Sequence, residues 1–423
     1  MKFSISTLGC KVNNYESEMI TEHMINAGFK LVSYEESPDI CIINTCTVTN
    51  NADSKSMHML RMLKGINKNA IFVMCGCMVE SHKDNIDNID ADIIIGNKDK
   101  SKLPTIINEF IKNKEQIIKM YDLKDTPFED MVINKYSSKT RAFIKIQDGC
   151  NNFCSYCIIP YVRGGIRSKD FNTVINEVKE LSDRHKEIVL TGIHTGSYNS
   201  NNHDLTDLIH ELSLIDNIKR IRISSIEITE LDDKFLNEFK NNPKICDHLH
   251  VPLQSGSDTI LKLMNRKYNK EEYENIINKI RSIRESVSIT TDLIVGFPGE
   301  TEELFNETLD FIKKIGFTKV HVFPYSKRKG TPASIMDNQV PDSVKHARAR
   351  EVIRLSNSLE ETYYKKFIGK ELDVLIEKSD DISLGHTSNY LYVQVMDRLE
   401  SNQIYKVLIT DVDGLKVIGK KVY

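Results

Sequence analysis

Short apolar runs alternate with amphipathic stretches along the first part of the chain. Residues 3–8, 40–44, 71–74 and 93–95 read as strands, and apolar positions spaced three and four apart predict helices over 15–27 and 52–66. That rhythm implies a small parallel α/β domain, in which functional groups gather past the carboxyl ends of the strands. Residues 98–139 are polar and lysine-rich and read as a helix followed by a connecting segment. From Arg141 the rhythm resumes, with strands at 143–147, 187–191, 220–224, 248–253, 289–295 and 319–324, each followed by helix or loop. Six such units predict a parallel barrel, full or partial, with its site at the carboxyl face. A charged helix from Pro341 to Phe367 then leads into alternating strands at 371–377, 390–395, 405–410 and 415–420, the pattern of a small β-barrel.

The fold class is therefore α/β. The expected organisation is an N-terminal α/β domain (1–105), a linker (106–138), a central barrel domain (139–362) and a C-terminal β-barrel (363–423). A length of 423 residues agrees, since single cores stop growing near ~250–300 residues. The chain has no apolar run near the ~18 residues of a membrane span and no signal-peptide pattern at its start, so a cytoplasmic protein without membrane association is expected. A net charge of −3 gives no global basic signature, which leaves any nucleic-acid contact to local patches.

Cysteine usage changes the picture most. Nine cysteines, an odd number without a secretory signal, argue against a disulfide framework and for metal ligation. Cys150, Cys154 and Cys157 form a C-x3-C-x2-C run directly after a predicted strand. Zinc sites favour paired cysteines and four ligands, whereas three close thiolates suit a [4Fe–4S] cluster with one iron left open. Cys10, Cys46 and Cys77 each fall just past a predicted strand end.

The cysteine loop, with Tyr156 beside its third cysteine, resembles the signature of the radical S-adenosylmethionine superfamily. The segments Thr7-Leu8-Gly9-Cys10-Lys11-Val12-Asn13, Asn44-Thr45-Cys46-Thr47-Val48-Thr49 and Gly76-Cys77 resemble the ligand segments of its methylthiotransferase family. The resemblance implies two [4Fe–4S] clusters. The one at Cys150, Cys154 and Cys157 would bind S-adenosylmethionine and cleave it to a 5′-deoxyadenosyl radical. The other, at Cys10, Cys46 and Cys77, would ready sulfur for transfer. Cys77 follows the family's Gly-Cys register, with Cys75 as the alternative ligand; Cys41 and Cys246 read as structural thiols. Family segments at later strand ends imply a cofactor pocket of Gly192, His194, Gln254, Ser255, Asp292 and Gly296.

Arg266, Lys267, Tyr325 and Arg328 follow as candidate RNA contacts, together with Tyr390 in a C-terminal barrel that resembles the TRAM RNA-binding domain. Within the family, the motifs look most like the branch that methylthiolates N6-threonylcarbamoyladenosine at position 37 of tRNA. The implied partners are a tRNA anticodon stem-loop and a reducing protein, with a monomer plausible. Isopentenyladenosine in tRNA or a ribosomal protein as substrate remain alternatives, as does a non-enzymatic, metal-stabilised RNA-binding protein.

Overall fold

The computed structural model describes residues 1–124, 126–134 and 140–422. The amino-terminal part is a parallel sheet of six strands, β1 (Lys2–Thr7), β2 (Lys30–Leu31), β3 (Ile40–Thr45), β4 (Ile71–Gly76), β5 (Ile93–Ile95) and β6 (Ile117–Lys119), in the order β2-β1-β3-β4-β5-β6. Helices α1 (Lys11–Asn26), α2 (Asn50–Ile66), α3 (Cys77–Ser81) and α4 (Leu103–Asn113) connect them. Every residue of β3 and β4 is buried, which is why both strands read as continuous apolar runs: a parallel sheet is covered on both faces.

Two differences from the sequence reading have local causes. Helix α1 starts at Lys11, before its periodicity becomes visible, because polar Asn13 is an inward position whose amide donates to the carbonyls of Leu8 (2.7 Å) and Thr45 (2.9 Å). Strand β6 lies within the stretch read as a linker; three residues are too few for alternation to show.

The central part holds β7 (Arg141–Lys145), a two-stranded clamp of β8 (Gln147–Asp148) with β9 (Arg167–Ser168), and β10 (Glu187–Thr191). After the short hairpin β11 (Asn199–Ser200) and β12 (His203–Asp204) come β13 (Arg220–Ile223), β14 (His248–His250), β15 (Ser288–Val295) and β16 (Lys319–Pro324). Strands β7, β10 and β13 form one parallel sheet and β14, β15 and β16 another. A bridge between Ile221 and Ile245 joins them. The result is a six-stranded partial barrel, open between β7 and β16, with α1 packed along β7. One hydrophobic core runs without interruption through the amino-terminal sheet and this barrel.

A long helix (Asp342–Lys365) leads to a closed barrel of β17 (Glu371–Ser379), β18 (Ser383–Thr387), β19 (Tyr392–Val395), β20 (Ile404–Asp413) and β21 (Lys416–Lys421). The sequence pattern predicts no strand at β18 and starts one at Tyr390. Gly385 interrupts the pattern in β18 because the Leu375 backbone passes where a side chain would stand. Tyr390 instead occupies the following turn at φ +70°, stacked between His248 (4.6 Å) and His386 (4.7 Å).

That turn seals the lower end of the partial barrel. Arg220 donates to the carbonyls of His386 (2.9 Å) and Asp373 (2.6 Å), and Arg222 to those of Ser388 (3.2 Å) and Thr387 (3.3 Å). Glu187 neutralises this seam, 2.7 Å from Arg222 Nε, and Arg141 pairs with Glu377 at 3.1 Å. Burial pushes the Glu187 carboxyl up, but Arg222, Arg220 and Arg141 override it and hold the pKa down at about 2.

Candidate active site between two cysteine triads

Cys10, Cys46 and Cys77 follow β1, β3 and β4, so a parallel sheet brings three residues distant in sequence to one edge. Glycine makes the approach possible: Gly9 stands at φ +102°, and a Cβ there would lie 2.5 Å from that of Cys46. The three thiols are close enough to act on one another electrostatically. Cys75 points away from them, with Sγ 3.7 Å from the Ile43 carbonyl oxygen and its side chain in the main core. Burial pushes the Cys10 thiol up and that of Cys46 up to about 11, so these thiols would stay protonated at neutral pH unless a metal took the place of the proton.

A cationic cluster stands behind this triad. The Arg163 guanidinium, fully buried, lies with Nε 3.2 Å from Cys77 Sγ, and it donates to Asn13 Oδ1 at 2.8 Å. Its other contacts are Glu16 (2.9 Å) and Asp148 (3.0 Å). Lys100 also pairs with Glu16, Lys145 pairs with both carboxylates at 2.8 Å, and Arg167 reaches Asp148 at 3.4 Å. Four cations thus surround two carboxylates, and burial pushes the next acids, Glu80 and Glu129, towards their neutral forms. The surplus positive charge faces thiols, and an iron–sulfur cluster on three thiolates is an anion; the site fits such a group.

The second triad occupies the loop after β8. The clamp of β8 with β9 fixes both ends of this loop, and the Cys150 amide donates to the Gly164 carbonyl at 3.1 Å. Cys157 lies near Cys154 and Cys150; burial, and then these thiols, push it up to about 12. Arg266, buried and paired with Glu227, places its guanidinium 3.4 Å from Cys154 Sγ. His194 sits beside Cys150 with Nε2 2.5 Å from Glu230. Burial opposes its charge, but the Cys150 thiol and Glu230 hold the imidazole protonated, with its pKa raised to about 10. Around this loop, His194 Nδ1, Thr195 Oγ1 and Tyr325 Oη are buried without hydrogen-bond partners among the described residues, as expected where a polar cofactor completes the site.

Among the described residues, no three ligand side chains are spaced for a single metal ion. A cubane asks for a wider arrangement, because its thiolates sit on separate irons. Between the triads lies a cleft of about 180 Å³. It is lined by Val48 and Thr49, just past Cys46, by Tyr156, just before Cys157, and by Gln254, Asp292, Phe323 and Tyr325 from the barrel.

The radical SAM superfamily model matches residues 144–312, and the model described as uncharacterized protein family UPF0004 matches residues 2–96. The threonylcarbamoyladenosine tRNA methylthiotransferase MtaB of Bacillus subtilis (strain 168) is 40% identical, covering 92% of this chain and 88% of that protein. The chain belongs to the radical S-adenosylmethionine methylthiotransferase family. A further relative is the tRNA-2-methylthio-N(6)-dimethylallyladenosine synthase of Clostridium tetani (strain Massachusetts / E88), 38% identical over 99% of this chain and 96% of its own length. Among solved structures, the cobalamin-dependent radical enzyme OxsB superposes with a TM-score of 0.51 at 12% identity, over 82% of this chain and 56% of that one, which shows a shared fold. Members of the family use S-adenosylmethionine and iron–sulfur clusters, and so does this methylthiotransferase.

The other residues singled out in the sequence separate into groups. Gln254 and Asp292 line the cleft. Gly192 and His194 form the loop against Cys150, which Gln147 braces by accepting from the His194 amide at 2.7 Å. Ser255 and Gly296 stand further back: Ser255 is buried against Ser257, and the Gly296 amide donates to Glu300 at 2.7 Å.

Of the candidate RNA contacts, Lys267 alone presents its charge at the surface. Arg266 lies at Cys154, Tyr325 is buried in the cleft wall, and Tyr390 fills the barrel seam. Arg328 ties the barrel to the amino-terminal domain through Thr47, Asn50 (2.6 Å) and Asp53 (2.8 Å). The cationic cluster escaped the sequence reading. Its one linear trace is that Arg163 follows Cys157 by a single short helix, α5 (Ile159–Arg163).

Proposed function

We propose that this methylthiotransferase places a methylthio group at carbon 2 of N6-threonylcarbamoyladenosine at position 37 of tRNA. In this reading Cys150, Cys154 and Cys157 hold the cluster that works with S-adenosylmethionine, and Cys10, Cys46 and Cys77 hold the second [4Fe–4S] cluster. The observation that carries it is the cleft whose walls include Val48 and Thr49, just past Cys46 in the chain, and Tyr156, next to Cys157. When bound, these cofactors supply the radical and sulfur chemistry that replaces an unactivated C–H bond, which acid–base groups cannot do at neutral pH.

The chain's own residues position and shield. Tyr156, Phe323 and Tyr325 wall the cleft with aromatic surface, His194 and Arg266 set positive charge at the Cys150 and Cys154 thiols, and Arg163 does the same at Cys77. The C-terminal barrel, residues 363–423, is proposed to hold the tRNA and a reducing protein to supply electrons. The names of the Bacillus subtilis relative and of MtaB from Aquifex aeolicus (strain VF5), 37% identical over 97% of this chain, support the choice of nucleoside.

Anaerobically loaded protein is expected to carry about eight irons. Cys157→Ala should stop 5′-deoxyadenosine formation, Cys77→Ala should retain it but lose the methylthiolated product, and Cys75→Ala should retain both. In tRNA from a strain lacking the gene, mass spectrometry should find threonylcarbamoyladenosine without its 2-methylthio form. Stoichiometric zinc without iron, or an unchanged nucleoside profile, would reject the reading.

A further inference from the structure

Below the cleft, the open side of the barrel leads to a polar lumen that neither cysteine triad uses. Strand register sets Asp292 beside His321 and Ile294 beside Phe323, and this face is open to water: Phe323 is 44% exposed and His321 is exposed as well. His250 completes the group, with Nε2 3.3 Å from Asp292 and its ring 5.7 Å from that of His321. Asp292 belongs both to this group and to the cleft, so the two spaces are continuous.

Lys11 reaches the same lumen from the amino-terminal domain, immediately after Cys10. Its ammonium lies within electrostatic range of Asp292 on one side and of Tyr390, Arg141 and Arg222 at the floor. The floor arginines have carboxylates of their own in Glu377 and Glu187, and Asp292 is taken by His250. The Lys11 ammonium has no hydrogen bond or ion pair among the described residues. A largely enclosed ammonium without a partner is costly unless an anion meets it.

We infer that Lys11 and His321, beside the His250–Asp292 pair, form a subsite that receives the carboxylate of an amino-acid substituent on N6 of the target adenosine while the base occupies the cleft above. This deepens the proposed function and rests on its choice of nucleoside. An isopentenyl group in the same place would bury the Lys11 charge against hydrocarbon, so the subsite favours one branch of substrates by its charge.

The test uses the full-length protein with both clusters loaded and checked by iron content. Its probes are two anticodon stem-loops carrying threonylcarbamoyladenosine, one with a free carboxylate and one with that carboxylate capped as the methyl ester. Wild type should bind the free acid about tenfold more tightly, the scale of one charge-assisted contact. Lys11→Met and His321→Glu should bring the ratio close to one, and Lys11→Arg should restore most of it. Because Lys11 adjoins Cys10, a Lys11→Met protein that loads poorly is set aside, and His321→Glu, on the exposed lumen face, decides alone. A wild-type preference that survives in these variants overturns the subsite and leaves the proposed function standing. A wild type that ignores the capping overturns the subsite too, and its nucleoside product then decides separately whether threonylcarbamoyladenosine is the substrate.

Discussion

Arg163 shows how far a single side chain can matter while staying invisible in sequence. Its guanidinium serves Cys77, Asn13, Glu16 and Asp148 at once, a task for a planar fork of donors rather than for a point charge. Arg163→Met should therefore lower unfolding stability by about 3 kcal/mol in urea titration, the scale of breaking a buried ion pair. Arg163→Lys should recover part of that loss but not the contact with Cys77, and the absorption spectrum of the amino-terminal cluster should shift in both variants. That Cys10, Cys46 and Cys77 gather at one sheet edge, and Cys150, Cys154 and Cys157 in one loop, was legible because their spacing and their places after strands can be read in one dimension. Arg163 was not, because its meaning lies in Glu16 and Asp148 arriving from elsewhere in the chain. Tyr390 and Arg328 read in sequence as candidate RNA contacts, the one on the C-terminal barrel and the other at the rim, and in the fold both pack into seams between domains, a placement that no linear pattern records.

At the level of elements, strand–helix alternation located the four inner strands of the first sheet and the six strands of the barrel, since buried parallel strands are apolar runs with polar connections. What it missed were elements governed by a neighbour: the short edge strands β2 and β6 of the first sheet, and β18, whose Gly385 answers to the backbone of β17. The turn between β1 and α1 also rests on one glycine. Gly9→Ala would combine a left-handed backbone with a collision at Cys46. It should cut the iron content from about eight to about four per chain by removing one cluster while sparing the other. Equal loss from both clusters would mean that the turn supports the whole active site rather than one triad.

Across the whole molecule, the seam between the barrel and the C-terminal domain has a pH limit set by Glu187. Its carboxyl falls from an ordinary 4.5 to about 2 in the fold. The stabilisation is therefore complete above pH ~4.5 and lost as pH falls towards ~2; at about 1.4 kcal/mol per pH unit it is worth on the order of 3 kcal/mol. Glu187→Gln should remove that dependence and make the C-terminal barrel the first part released by limited proteolysis at neutral pH. Unchanged digestion and an unchanged acid transition would show that the arginines hold the seam without it. The strand rhythm of each region was legible in the sequence, but the mutual dependence of the regions was not.

The Glu16–Arg163 pairing carries a consequence for how such a protein can change over evolutionary time. Glu16 lies in the segment matched by one family model and Arg163 in the segment matched by another, and both are enclosed by the union of the two. Neither segment is a cassette that recombination could trade for a stranger's. A chimera joined between them would inherit a half-set of charges sealed away from water, and would have to acquire matching replacements on both sides before it could accumulate as a folded protein.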